Sequence, residues 1–158
     1  MSPTEAHRRE AQEHRRLAGE HRAKARDLID AERRSCAELD EDTIVHSPFY
    51  HREDILTVEA IRKDGEIRGA SVTFRKVRGL TSEWMENALA CHLARAAAMG
   101  FKDFMPDSPA SIRGASVAVS PHGDTIIVKI QATDGIVGAA IWGRALRLLD
   151  DTERPTGN

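Results

Sequence analysis

Seven histidines and two cysteines carry most of the chemical potential of this chain. His7, His14 and His21 recur at seven-residue intervals, and His46 and His51 follow, so five of the seven precede residue 52. Cys36, Cys91 and His92 add further metal-binding side chains, and His122 stands apart at a hairpin tip. Imidazole and thiolate are the side chains that zinc and copper prefer. The first chemistry to weigh is therefore capture of a Zn or Cu ion.

Spacing tests the two groups differently. On a helix, residues seven apart lie on one stripe but are separated by roughly 10.5 Å along the axis. Chelation from a single helix needs ligands at i,i+3 or i,i+4. The heptad histidines thus cannot share an ion without a second helix. They read better as a seam of His7, Ala11, His14, Ala18, His21, Ala25 and Leu28, packing against a partner helix or another copy of the chain. Such a homo-oligomeric contact would respond to pH, because imidazole titrates near neutrality.

The second group is the better candidate for ligands: Cys36, His46, His51, Cys91 and His92. Folding the end of the first helix and the loop behind it onto a core helix would bring all five together. No C-x-x-C or H-x-x-x-H pairing supports this, and adjacent Cys91 and His92 point about 100° apart on a helix. Three fates are open for the cysteines: buried thiols, a Cys36–Cys91 disulfide, or metal ligands. Gathering the histidines around them sets metal level with the disulfide. A thiol enzyme centred on Cys91 is a further alternative, although no orienting third group stands at a useful spacing.

The elements that must position these residues follow from periodicity. Residues 1–38 form a long charged amphipathic helix, regular from about residue 4 and rich in Ala, Arg, Glu and Leu, with Gly19 as its single weak point. Residues 39–53 form an ordered acidic and His-bearing loop, in which Pro48 forbids a regular helix and Phe49 and Tyr50 need packing partners. Residues 54–150 form the core domain, and residues 151–158 a flexible tail. Within the core, segments 54–62 and 66–77 alternate apolar and polar residues around the Asp64-Gly65 hairpin turn. Thr81 caps a helix reaching Gly100, with Met85, Leu89, His92, Ala96 and Met99 along its apolar face. A second hairpin spans 114–132, and Asp134 caps a last helix that buries Ile136, Val137, Ala140, Ile141, Leu148 and Leu149. Gly135 and Gly138 permit close packing there.

The fold class is α+β: a long N-terminal helix, then ββα-ββα, giving a four-stranded, mostly antiparallel sheet with two helices on one face. Arg68-Gly69-Ala70-Ser71-Val72 recurs as Arg113-Gly114-Ala115-Ser116-Val117, a hint of duplicated halves weakened by its offset between hairpins.

Composition excludes several classes. The net charge of −2 argues against a general nucleic-acid binder, and Glu10, Glu13 and Glu20 offset the basic ridge of Arg8, Arg9, Arg15, Arg16 and Arg22. No apolar run approaches the roughly 20 residues of a membrane span, so no membrane partner is expected. The N-terminus is charged from Glu5 onward and has no apolar h-region, which leaves a cytoplasmic protein or the mature form of an exported one. The leading expectation is a non-catalytic metal-binding domain. The alternatives are an interaction module pairing through its first helix, and a thiol enzyme.

Overall fold

The computed structural model describes residues 3–101 and 104–153. Helix α1 runs from Pro3 to Cys36. Pro3 opens it, at the position where a missing backbone N–H costs nothing. A short helix α2 follows (Glu41–Val45), then two 3-10 turns at Pro48–Tyr50 and Arg52–Asp54. The segment expected to be a loop is therefore mostly short helical turns, each with a local cause. Asp40 caps α2 by accepting the Thr43 N–H at 2.7 Å, and hydrogen bonding from the Thr43 side chain, with this backbone bond second, holds its carboxyl pKa below the usual range. Ser47 caps the first 3-10 turn by accepting the Phe49 N–H at 3.1 Å.

Strands β1 (Ile55–Lys63) and β2 (Glu66–Arg75) form the first hairpin. Its turn residues Asp64 and Gly65 have φ of 54° and 81°, as a two-residue hairpin of type I′ requires. Helix α3 (Ser82–Ala98) begins at Thr81, whose hydroxyl accepts the Trp84 N–H. Strands β3 (Ser116–His122) and β4 (Thr125–Gln131) form the second hairpin. Helix α4 (Gly135–Glu153) is capped by Asp134, which accepts the N–H groups of Ile136 and Val137. It continues past residue 150 into the expected tail, because nothing from 150 to 153 breaks a helix; residues 154–158 lie outside the described residues.

The sheet order is β1-β2-β4-β3, antiparallel throughout. Alternate residues of the two central strands (Ala70, Val72 and Phe74 on β2; Ile126, Val128 and Ile130 on β4) build one buried face. Met85 and Leu89 of α3 and Ile141, Ala145 and Leu148 of α4 pack onto it in a single cluster. Gly138 is what lets α4 approach: a Cβ there would stand 2.7 Å from the Cα of Arg68. Three expectations of burial fail on α3 and α4. Ile136 is 83% exposed and Ala140 faces solvent, because α4 turns Gly138, Ile141, Ala145 and Leu148 inward instead, and Met99, at the end of α3, is 48% exposed. Tyr50 is 64% exposed, whereas its neighbour Phe49 is buried against Phe74.

The repeated pentapeptide occupies unlike places. Its first copy lies within the central strand β2, whereas its second starts in a turn at Gly114 (φ 93°) and ends on the edge strand β3. Duplicated halves would put the copies on equivalent strands, so duplication is not supported.

Candidate functional site

Three helices meet where α1 ends. Cys36 on α1 and Cys91 on α3 form a disulfide, with their Cα atoms 4.9 Å apart and a sequence separation of 55. One turn away, Glu32 on α1 pairs with Arg95 on α3 at 3.4 Å. The Arg95 guanidinium also donates to the Ile44 carbonyl of α2 and lies 5.2 Å from the Phe104 ring centroid. Between them sits His92, only 2% exposed. Its Nε2–H donates to the Thr43 carbonyl at 2.7 Å, which fixes the neutral tautomer with a bare Nδ1. That Nδ1 is buried without a hydrogen-bond partner. Desolvation lowers the His92 pKa, and the Arg95 charge acts in the same direction.

This arrangement corrects the expected ligand set. Cys36 and Cys91 are bonded to each other, and no cysteine is free. Neither sulfur is a thiolate that could hold an ion or attack a substrate, so the Cys91-centred enzyme has no nucleophile in this state. His92 spends Nε2 on the α2 backbone. His46 lies on the surface, where its Nδ1 meets the backbone and side chain of Asp42 at 3.2 and 3.1 Å and its ring meets Tyr50 edge-on. His51 is near Trp84, with ring centroids 6.3 Å apart. The five residues do not converge. Sequence spacing allowed the convergence, but α2 and the 3-10 turns carry His46 and His51 away from the disulfide.

One side-chain group of metal-ligating type remains among the described residues. His51, Glu53 and Asp54 offer ligand atoms within 4.8 Å of one another on the second 3-10 turn. His51 and Glu53 are exposed, and the Nδ1 to Oε1 distance is 3.7 Å. The carboxylates were not singled out in the sequence, since their nearness to His51 arises only once the turn forms. Beside this turn, Phe49, Tyr50, Arg52, Met105, Asp107 and Leu148 are among the residues that line a cleft of about 40 Å³. That is room for a water molecule or two rather than an organic substrate.

The seam residues all lie on α1, which buries none of its 34 residues. Its ion pairs are local: Arg16 bonds to Glu13 and, at 2.6 Å, to Glu20. These bonds lower the Glu13 carboxyl pKa and raise that of Arg16. In the heptad frame they occupy the face opposite the histidines, so they stabilise the helix without covering the seam.

No helix of the described residues is long and apolar enough to cross a membrane. Comparison of the chain with protein-family models, with curated proteins and with solved structures finds no match.

Proposed function

We propose that the chain is a non-catalytic interaction module that self-associates through α1. The observation that supports this is a helix held firmly at one end and covered nowhere else. Cys36 faces Cys91, and Glu32 faces Arg95. The two helices therefore run antiparallel, and α3 ends at Ala98. By helical rise, residues before about 29 extend roughly 39 Å past the end of α3. A charged helix left free would need no disulfide; one that must present a contact surface in a set direction gains from it.

The contact is the seam. Ala11, Ala18 and Ala25 stand at one core position of the heptad, and His7, His14, His21 and Leu28 at the other. In a parallel pair, Glu10 of one copy lies across from Arg15 of the second. Small Ala side chains let two helices approach, and neutral imidazoles pack between them. Protonation sets imidazolium against imidazolium, beside the flanking Arg8, Arg15 and Arg22, and opens the pair. The expected result is a larger mass at pH 8 than at pH 5.5 by sedimentation, with association weakened about tenfold or more across that range. His14→Leu/His21→Leu should hold the larger mass at both pH values. Equal masses at both pH values for wild type and variant alike would defeat this reading. The disulfide also favours an oxidising compartment.

A second reading, capture of zinc or copper, is favoured by the cluster of His51, Glu53 and Asp54. One imidazole and two carboxylates match a zinc site with open positions better than a soft-ligand copper site. Metal analysis of untagged protein, before and after His51→Ala, checks it. Retained zinc that disappears in the variant is expected on this reading; metal-free wild type that ignores added Zn²⁺ removes it.

A further inference from the structure

The two edges of the sheet are not equally protected. An edge strand exposes unpaired backbone N–H and C=O groups, which proteins usually shield with charges, prolines or bulges. Strand β1 has these devices: pairing irregularities at Ile55/Thr57 and Ile61/Arg62, and exposed Glu59, Arg62 and Lys63. Strand β3 keeps an unbroken register with β4 over all its pairs, Ser116↔Gln131 through His122↔Thr125. Its first five residues carry no charge. They read Ser116-Val117-Ala118-Val119-Ser120, a palindrome about Ala118.

The hairpin shows which groups are open. His122↔Thr125 closes a two-residue loop and is therefore a hydrogen-bonded pair. Counting back by twos, Ser120, Ala118 and Ser116 direct their backbone groups at β4. Val119 and Val117 direct theirs outward. Pro121 is the next outward position and has no N–H, so it ends the available stretch. Beside this edge, Leu89, Ala90 and Leu93 of α3, with Glu86, form a groove of about 400 Å³ against Val117, Ala118 and Val119.

We propose that β3 pairs with β3 of a second copy, antiparallel about a two-fold axis at Ala118, merging two four-stranded sheets into one of eight. In this register Val117 lies opposite Val119 of the second copy, and four backbone hydrogen bonds form. Ser116 faces Ser120 of the second copy, and Ala118 faces its own equivalent. The palindrome is what points to a second copy: a two-fold antiparallel pair needs residues that match in mirrored order, and this strand supplies them. Within the paired strands no charge meets its like. Lys129, which lies beside Ala118 on the solvent face, comes no nearer than about 14 Å to its equivalent, three strand spacings away and beyond the screening length. The valines of the second copy, on the helix-side face, enter the mouth of the groove. Each β3 has one free edge, so the pairing closes at two copies.

This contact is separate from the α1 seam, and both together would give tetramers or longer chains. Sedimentation at pH 5.5 and 8 separates them. Ser116 and Ser120 are exposed, so charges there leave the core alone. Ser116→Lys/Ser120→Lys sets Lys opposite Lys twice, whereas Ser116→Glu/Ser120→Lys sets Glu opposite Lys twice. At pH 5.5, where the α1 reading expects its pairing to be open, wild type and the Glu/Lys variant should be dimers. The Lys/Lys variant should associate about tenfold or more weakly. Far-UV circular dichroism confirms that each variant is folded at both pH values. A wild-type monomer at pH 5.5, or a dimer that ignores both charge patterns, overturns the proposal. A Lys/Lys variant that is monomeric at both pH values supports the β3 pairing and defeats the α1 reading. One that is still dimeric only at pH 8 supports both.

Discussion

Replacing both half-cystines, Cys36→Ser with Cys91→Ser, should lower stability by about 4 kcal/mol, the loop-closure entropy for 55 residues at 25 °C. For a chain of this size that corresponds to a fall in Tm of about 10 °C. The magnitude follows from what the bond encloses. The closed loop contains α2, both 3-10 turns, the β1–β2 hairpin and half of α3. The constraint therefore acts on the unfolded form of much of the sheet, not on α1 alone. The other tie at the junction is weak by comparison: Glu32–Arg95 is a partly exposed pair, worth less than about 1 kcal/mol. Glu32→Gln should accordingly change Tm by only a degree or two. In the Ser/Ser variant, limited trypsin digestion should cut at Arg33 and Arg34 well before the core, since nothing covalent then holds that turn on α3. Thermal melts within two degrees or so of wild type would show that the bond constrains little.

Acid should destabilise the fold through His92. Burial pulls its imidazole pKa below the ordinary 6.5, outweighing the upward pull of the Thr43 and Ile44 backbone. The folded protein thus binds this proton less readily than the unfolded chain does. Stability is fully present above pH 6.5, and it declines as pH falls from 6.5 toward the lowered folded-state pKa. The slope for one proton approaches about 1.4 kcal/mol per pH unit. Protonation would also place a cation beside Arg95 in a site 2% open to water. His92→Gln keeps a donor for the Thr43 carbonyl and removes the titration. Denaturant unfolding of both proteins at pH 7 and pH 5 reads the difference. The variant starts lower at pH 7 but should lose less on acidification. Equal losses would assign the acid sensitivity to other groups.

The two effects meet at one place, the α1–α2–α3 junction, and its legibility in the sequence is uneven. Cys36 and Cys91 were visible as a pair worth weighing, but three fates stayed open because a 55-residue separation says nothing about distance. His92 fell correctly on the apolar face of α3. Its partner, the Thr43 carbonyl, could not be read, since any backbone can offer one. His46 and His51 meet the cysteines only if the 39–53 segment is an ordered loop that folds back onto α3. The caps at Asp40 and Ser47 turn it into short rigid turns that lead elsewhere.

What the sequence determined by itself is what local physics controls. The 3.6-residue period marked α1, α3 and α4; alternation and Asp64-Gly65 marked the first hairpin; Thr81 and Asp134 marked two helix starts. The His/Ala seam is likewise a property of spacing alone, and arithmetic on helical rise was enough to show that it cannot chelate an ion unaided. Tertiary structure decided which distant groups meet. It joined Cys36 to Cys91, brought His51, Glu53 and Asp54 within 4.8 Å of one another, and left β3 at the edge of the sheet with its palindrome facing solvent. The reason is physical. Propensity, capping and turn preference act within a few residues of chain, whereas disulfide pairing, ligand convergence and strand order depend on how whole elements share one apolar core.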